Sequence, residues 1–168
     1  MSLTRHISEM ADVLSRNIEL YEQMAEQLDK ERHDFVSHSV ENLNKNLKLK
    51  EVIVLKLRTL EETRQRVVRS VAKVVEVDKK ELTLLKLIEL ATGPLKERLT
   101  ALRQKLREVI EKTNELNYFN RGLIERLIKL NYAAAERLQN LIEPEDTYVR
   151  HGKAGSNLKS GRIVEQTF

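Results

Sequence analysis

Apolar residues recur at a helical spacing from the start of the chain. In the first segment one series of them lies seven residues apart, and other apolar residues lie between its members, so one face of a helix is apolar. The seven-residue series is Ile7, Leu14, Tyr21, Leu28 and Phe35. The pattern predicts a helix over residues 3–36, and Ser39, after a short polar break, is the predicted N-cap of the next helix.

A second segment repeats this spacing through a Val-rich stretch. Its apolar stripe consists of Ile53, Leu57, Leu60, Val67, Val71 and Val74. Valine favours strands, but the helical period continues without a break from Val40, and this favours a second long helix.

The segment after the second helix predicts one short helix and the start of a fourth. Asp78 followed by Glu81 has the spacing of a capping box, which predicts a third helix over residues 79–91. Gly93 is then expected at the C′ position of this helix, and Pro94 in the first turn of the fourth.

The fourth segment has the most regular pattern, a heptad seam over residues 95–141. Its two series are Leu95, Leu102, Val109, Leu116, Leu123 and Leu130, and Leu99, Leu106, Thr113, Asn120, Leu127, Ala134 and Leu141. A helix of this length spans ~70 Å, and its seam requires cover by the helix 1–helix 2 hairpin, by a second copy of the chain, or by both. We therefore predict an all-α fold, an antiparallel bundle of three long helices plus one short helix, with coiled-coil-like heptads, over residues 1–143.

Asparagine is the unusual residue of this fourth helix. Asn114, Asn117 and Asn120 follow one another at helical spacing, and Asn120 lies on the seam. A polar residue at a seam position fixes register and oligomeric state, so we predict Asn117 and Asn120 as register positions. Asn120→Leu is then expected to keep or raise the melting temperature while changing oligomeric state or register. The alternative is that this polar patch contacts a partner.

Residues 144–168 have a different composition and no helical period. Three glycines and scattered basic residues predict a flexible tail, and its apolar side chains are candidates for contacts with a partner on which the tail becomes ordered. These candidates are Tyr148, Val149, Leu158, Ile163, Val164 and Phe168. The alternative is a frayed end whose apolar residues have no role.

Composition narrows the class of protein. The chain has 168 residues, of which 33% are charged and 4% aromatic, a balance typical of long helices and coiled coils. It contains no cysteine, which rules out disulfides and thiolate sites and fits a reducing compartment. No apolar run reaches the ~18 residues of a membrane helix, and the first residues carry no apolar signal core, so we expect a cytoplasmic protein without membrane insertion.

The sequence carries no motif for catalysis or for a cofactor. None of its four histidines has a glutamate three residues before it, which excludes the di-iron motif of helical bundles. It has no phosphate-binding glycine loop and no nucleophile elbow, and the heptad assigns its carboxylates to solvent. We expect no enzyme activity, no cofactor and no metal. His33, Asp34 and His38 are interpreted as solvated loop residues, with a weak metal site as the alternative.

Charge is distributed unevenly between the first two helices. Residues 1–42 have four basic and nine acidic residues, whereas residues 43–73 have nine basic and three acidic ones. Opposite charge favours antiparallel pairing of these helices. The alternative is that the basic helix binds nucleic acid or anionic lipid, but no aromatic residue is interleaved with its basic residues, and we expect no nucleic-acid partner.

One motif of the fourth helix and the tail resembles a known family. Leu116-Asn117-x-x-Asn120-x-x-Leu123, followed by Pro144-x-x-Thr147-Tyr148 and then Gly152, resembles the FlgN flagellar export chaperones. The second helix is also similar to that of the family, at Lys50, Leu57, Leu60, Glu61 and Arg64.

The resemblance implies a non-enzymatic export chaperone in the cytoplasm. Its clients would be the hook-associated proteins of the hook–filament junction, which it would deliver to the flagellar type III export gate and its ATPase apparatus. The tail tyrosine and glycine, Tyr148 and Gly152, would belong to the partner-binding part, and a homodimer is possible. The competing interpretation is a structural coiled-coil adaptor or scaffold without chaperone activity.

Overall fold

The chain folds into four helices in a computed structural model that describes residues 3–37 and 39–142. The helices are α1 (Leu3–Val36), α2 (Val40–Val75), α3 (Leu84–Leu90) and α4 (Pro94–Ile142). Within the described ranges no residue is in a strand. The predicted all-α fold, with three long helices and one short helix, is confirmed. The chain divides into two units within α4, the first ending at Lys129 and the second beginning at Leu130.

Helices α1 and α2 form an antiparallel hairpin. Asp34 accepts hydrogen bonds from Asn42 and Asn46, while Glu31, one turn earlier on α1, pairs with Lys50, one turn later on α2. This order of contacts is the one that antiparallel helices produce. The predicted bounds of α1 are confirmed by the structure.

The ends of α2 are fixed by two local features. The hydroxyl of Ser39 accepts a hydrogen bond from the Asn42 amide, 3.4 Å away, so the predicted N-cap is confirmed. At the other end Glu76 adopts the left-handed conformation, with φ 56°, and its amide donates to the Ala72 carbonyl. A non-glycine residue in this conformation is strained, which makes Glu76 a costly helix terminus.

The predicted helix over residues 79–91 is wrong at its start. The carboxylate of Asp78 accepts a hydrogen bond from the Lys80 amide at 2.9 Å, and its carbonyl accepts one from the Glu81 amide at 3.0 Å. Asp78 therefore closes a turn, because its backbone carbonyl takes the Glu81 amide that its side chain would bind in a capping box. Helix α3 begins later, where the hydroxyl of Thr83 accepts from the Lys86 amide.

Gly93 precedes α4 and does not end α3. The C-cap of α3 is Ala91, with extended backbone, so the expectation that Gly93 is its C′ residue was wrong. Gly93 has φ 56°, a conformation that glycine adopts without strain, and its carbonyl accepts from the Lys96 amide at 3.1 Å. Pro94 is the first residue of α4, as predicted.

The hydrophobic core lies where the first half of α1, the end of α2, α3 and the start of α4 meet. Its buried members are Ile7, Met10, Ala11, Leu14, Val67, Val68, Val71, Ala72, Leu82, Leu87, Ile88, Ala91 and Leu99. Burying one Leu, Ile or Val side chain contributes ~1.5–3 kcal/mol, so this cluster makes a large apolar contribution to the stability of the first unit.

Helix α4 runs parallel to α1 within the first unit. Arg98 pairs with Asp12 at 2.8 Å, and further along both helices Asn120 reaches the backbone of Leu28. Contacts that advance in the same direction on both helices require this parallel arrangement. The turn after α2 and the short α3 provide the connection that it needs.

Candidate partner-binding surface

A buried polar network joins α4, α1 and α2. Asn120 is 2% exposed, and its Nδ2 donates to the Leu28 carbonyl at 2.7 Å and to Glu31 Oε2 at 3.0 Å. Lys50 Nζ pairs with the other oxygen of Glu31, and both side chains are largely buried. Each charged group of this network is thereby compensated by hydrogen bonds or by opposite charge.

The burial of Glu31 corrects the expectation that the heptad leaves the carboxylates in solvent. Glu31 is 8% exposed. A signal for this was present in the sequence, because Glu31 continues the seven-residue series Met10, Asn17 and Met24 on the inward side of α1. Its partner Lys50 comes from a different helix, and periodicity within α1 carries no information about it.

The predicted register asparagines lie in different environments. Asn120 is buried on the seam, whereas Asn117 and Asn114 are exposed. The tail residues predicted to contact a partner (Tyr148, Val149, Gly152, Leu158, Ile163, Val164 and Phe168) lie outside the described residues.

Opposite charges join α1 to both of the other long helices. Among the residues that the structure describes, one ion pair links α1 to α2, between Glu31 and Lys50. Two link α1 to α4, where Asp12 pairs with Arg98 and Glu22 pairs with Lys105 at 3.0 Å. The acidic side chains of α1 therefore face α4 as well as the basic helix α2.

An open groove runs between the three long helices of the first unit. It is lined by Leu14, Asn17, Tyr21, Val54, Leu57, Arg58, Glu61, Arg64, Leu106 and Ile110. At its edge Arg64 donates two hydrogen bonds of 2.7 Å to the Glu61 carboxylate. The paired Arg64 guanidinium lowers the pKa of the Glu61 carboxyl, and the carboxylate in turn raises the pKa of Arg64.

The second unit exposes the apolar side of α4. Leu130 is 67% exposed, Leu138 is 60% exposed and Leu141 is 82% exposed, and Ala134 between them is also exposed. Residues at these spacings lie on one side of a helix, and we name the four residues the α4 stripe. Tyr132 is 74% exposed on the opposite side.

The α4 stripe is suited to binding another helix. An amphipathic helix presents side chains at the same spacing, so that its apolar face interdigitates with such a stripe. Three exposed leucines on one side of a helix are typical of an interaction surface, because soluble domains seldom leave contiguous apolar area uncovered.

Metal-binding clusters and membrane-spanning helices are both absent from the described residues. Over residues 3–37 and 39–142, no group of three or more His, Cys, Asp or Glu side chains is placed to hold a metal ion. In the same part of the chain, no helix combines the length and the apolar character of a membrane span.

The described residues define an all-helical protein with an exposed apolar stripe on its last helix. The family described as FlgN protein matches residues 1–156, which is most of the chain. The chain belongs to the FlgN family and is a flagellar export chaperone. No curated protein and no solved structure matches it.

Proposed function

We propose that this chaperone binds hook-associated proteins in the cytoplasm and delivers them to the flagellar type III export gate. The observation that carries the proposal is the exposure of the α4 stripe in a member of the FlgN family. A client with an amphipathic terminal helix would bury its apolar face on Leu130, Ala134, Leu138 and Leu141. Until export, the bound chaperone would keep that face from pairing with other clients.

The size of the stripe fits reversible binding. Covering a leucine side chain completely contributes ~1.5–3 kcal/mol, and association itself costs several kcal/mol in lost rigid-body freedom. Three leucines of which each is covered in part therefore give a modest net affinity, unless other contacts add to it. A chaperone that must release its client at the export gate requires such a balance.

The tail from residue 144 onward is the proposed source of additional contacts. The family match extends to residue 156, so it includes Tyr148, Val149 and Gly152. We assign client or gate contacts to these three residues and to Leu158, Ile163, Val164 and Phe168. Ordering the tail on a partner would give specificity without excessive affinity, because the loss of chain entropy offsets part of the contact energy.

Calorimetric titration of a hook-associated protein tests the stripe. The double variant Leu130→Asp/Leu138→Asp should bind the client at least about tenfold more weakly, because carboxylates cannot be buried against an apolar helix face. The matched control is Tyr132→Asp, an exposed residue on the opposite side of the same segment, which should bind as the wild type does. Wild-type affinity in the double variant would refute the proposed client site.

The same titration tests the tail. A chain that ends at Glu143 should keep its helix content and melting temperature, yet bind the client about tenfold more weakly, a loss of ~1.4 kcal/mol. Tyr148→Ala should reproduce part of this loss. Equal affinity of the truncated and full-length chains, together with normal export by the truncated form, would show that the tail makes no such contact.

A second copy of the chain is the other possible occupant of the stripe. Sedimentation of the wild type and of Leu130→Asp/Leu138→Asp distinguishes the two occupants. A monomeric mass for both chains supports a free client site. A wild-type dimer that the double variant dissociates would identify the stripe as a homodimer interface and contradict the proposed client contact.

A further inference from the structure

A second surface, chemically different from the α4 stripe, lies near the C-terminal end of α2. A cleft of about 390 Å³ opens between the last turns of α2 and the turn that Asp78 closes. It is lined by Arg64, Gln65, Val68, Arg69, Lys79, Lys80 and Leu82, and we name it the basic cleft. Four of these seven side chains are cationic and none is a carboxylate.

The floor of the basic cleft is apolar and buried. Val68 is 9% exposed and Leu82 is 5% exposed, and both belong to the hydrophobic core. The turn that carries Lys79 and Lys80 is held by two hydrogen bonds to Asp78. The cationic side chains therefore surround a preformed apolar floor, and a ligand would not have to order the backbone on binding.

The cationic side chains of the cleft differ in whether other groups of the chain already bind them. Arg64 is bound to Glu61 by two hydrogen bonds, and Arg69 donates to the Gln65 carbonyl at 3.2 Å. Over the part of the chain that the structure describes, Arg69, Lys79 and Lys80 form no ion pair. These three positive charges are therefore available to carboxylates from outside the chain.

We propose that the basic cleft binds an acidic peptide segment of a partner protein. Its carboxylates would pair with Arg69, Lys79 and Lys80, and one apolar side chain would pack over Val68 and Leu82. Charge complementarity and the apolar floor together define this ligand. The proposal goes beyond the proposed function, because the cleft lies in the first unit and involves neither the α4 stripe nor the tail.

The geometry favours a peptide over nucleic acid. Single-stranded nucleic acid binds where aromatic side chains stack on its bases along a basic groove, and no aromatic residue lines this cleft. Its apolar floor would contact a leucine or valine side chain, whereas the sugar–phosphate backbone offers no matching group.

Fluorescence anisotropy with a labelled peptide of glutamates around one central leucine tests the proposal. Arg69→Glu/Lys79→Glu should weaken its binding to the full chain by about tenfold or more, since two attractive contacts become repulsive. The control Lys45→Glu/Lys48→Glu makes the same change in net charge on exposed residues near the start of α2, and should weaken binding less than about threefold. Circular dichroism verifies that both variants keep the wild-type helix content.

Two further probes complete the experiment. The peptide with serine in place of leucine should bind several-fold more weakly, as expected if the apolar floor contributes. A uridine oligonucleotide of equal charge should bind more weakly than the leucine peptide. The proposal is overturned if the leucine peptide does not bind or if both double variants lose equal affinity for it. It is also overturned if the serine peptide binds with the affinity of the leucine peptide, or if the oligonucleotide binds more tightly than the leucine peptide.

Peptide binding at the basic cleft should be independent of client binding at the α4 stripe. Arg69→Glu/Lys79→Glu should titrate a hook-associated protein with wild-type affinity, since it leaves the α4 stripe unchanged. Loss of peptide binding with retained client binding supports a separate site. Loss of both would show that the basic cleft is part of the client site, and would overturn the proposal of a second surface.

Discussion

The side-chain amide of Asn120 on α4 donates a hydrogen bond to the backbone carbonyl of Leu28 on α1, with 2.7 Å between the two atoms. One heptad earlier, the hydroxyl oxygen of Thr113 lies 3.4 Å from the carbonyl oxygen of Tyr21. Two polar seam residues therefore meet two α1 carbonyls at the same seven-residue spacing. A shift of α4 by one turn would separate both pairs, and we expect the Asn120 hydrogen bond to favour the observed register of the two helices.

Asn120→Ala should lower the free energy of unfolding by ~2 kcal/mol, because it removes two hydrogen bonds from a buried site and leaves Glu31 with one partner fewer. Urea denaturation measures this change. The exposed Asn117→Ala on the same helix is the control, with an expected change within ~0.5 kcal/mol. Equal effects of the two substitutions would mean that Asn120 has no register role.

The buried Glu31 also changes the expected result of Asn120→Leu. From the sequence alone, leucine at a seam position is expected to keep or raise the melting temperature. In the structure it would lie against a carboxylate that has lost one hydrogen bond, so we now expect a lower melting temperature. Combining it with Glu31→Leu should recover part of the loss in a thermal melt. An unchanged melting temperature in Asn120→Leu would contradict this expectation.

Lys50→Ala should destabilise the chain by ~3 kcal/mol, because it leaves the Glu31 carboxylate buried without a counter-charge. The double variant Glu31→Gln/Lys50→Met should be more stable than Lys50→Ala, since no uncompensated charge remains. Lys45→Ala removes an exposed pair with Glu41 and should cost less than ~0.5 kcal/mol. If chemical denaturation gave the two lysine variants the same midpoint, the buried pair would contribute no more than the exposed one.

Glu76→Gly should stabilise the chain by ~1 kcal/mol, because glycine adopts the left-handed C-cap conformation without the strain that a side chain adds. The matched control is Lys73→Gly in the last turn of α2, where glycine should cost ~1 kcal/mol. Opposite signs in thermal denaturation would support the assignment. Destabilisation by both would show that Glu76 makes a contact worth more than its strain.

Leu99 and Leu138 test the two environments of α4 with one substitution. Leu99 is fully buried, so Leu99→Ala should cost ~3 kcal/mol through lost contacts and the cavity that remains. Leu138 is 60% exposed, and Leu138→Ala should change stability by less than ~0.5 kcal/mol while weakening client binding. Unfolding and titration of both variants check this. A large stability loss in Leu138→Ala would mean that the stripe is already covered.

Several features that depend on nearby residues were predicted correctly from the sequence, whereas the capping box at Asp78 and the C′ position of Gly93 were not. The bounds of α1, the N-cap Ser39 and the start of α4 at Pro94 follow from heptad periodicity and from side chains within one turn. Asp78 shows the limit of such reasoning, because an aspartate can cap a helix or close a turn through similar first contacts. The start of α3 predicted from the sequence, residue 79, is therefore five residues before the observed start at Leu84.

The buried polar network could not be predicted, because its members come from three helices. Glu31 is compensated only where Lys50 arrives from α2 and Asn120 from α4, and heptad patterns do not determine which residues of different helices meet. The stripe was predicted in part. The heptads extend the apolar side of α4 to Leu141, but which leucines are covered depends on tertiary packing, as the difference between Leu99 and Leu130 shows.

The parallel arrangement of α1 and α4 has a consequence for the order of folding. Polar contacts within the α1–α2 hairpin join residues 8 to 19 positions apart, whereas those between α1 and α4 join residues 83 to 92 positions apart. Closing the loop for an α1–α4 contact costs ~1.4 kcal/mol more in chain entropy than closing the loop for the longest α1–α2 contact. The hairpin can therefore form while the ribosome is still synthesising α4, and α4 docks onto a surface that is already assembled.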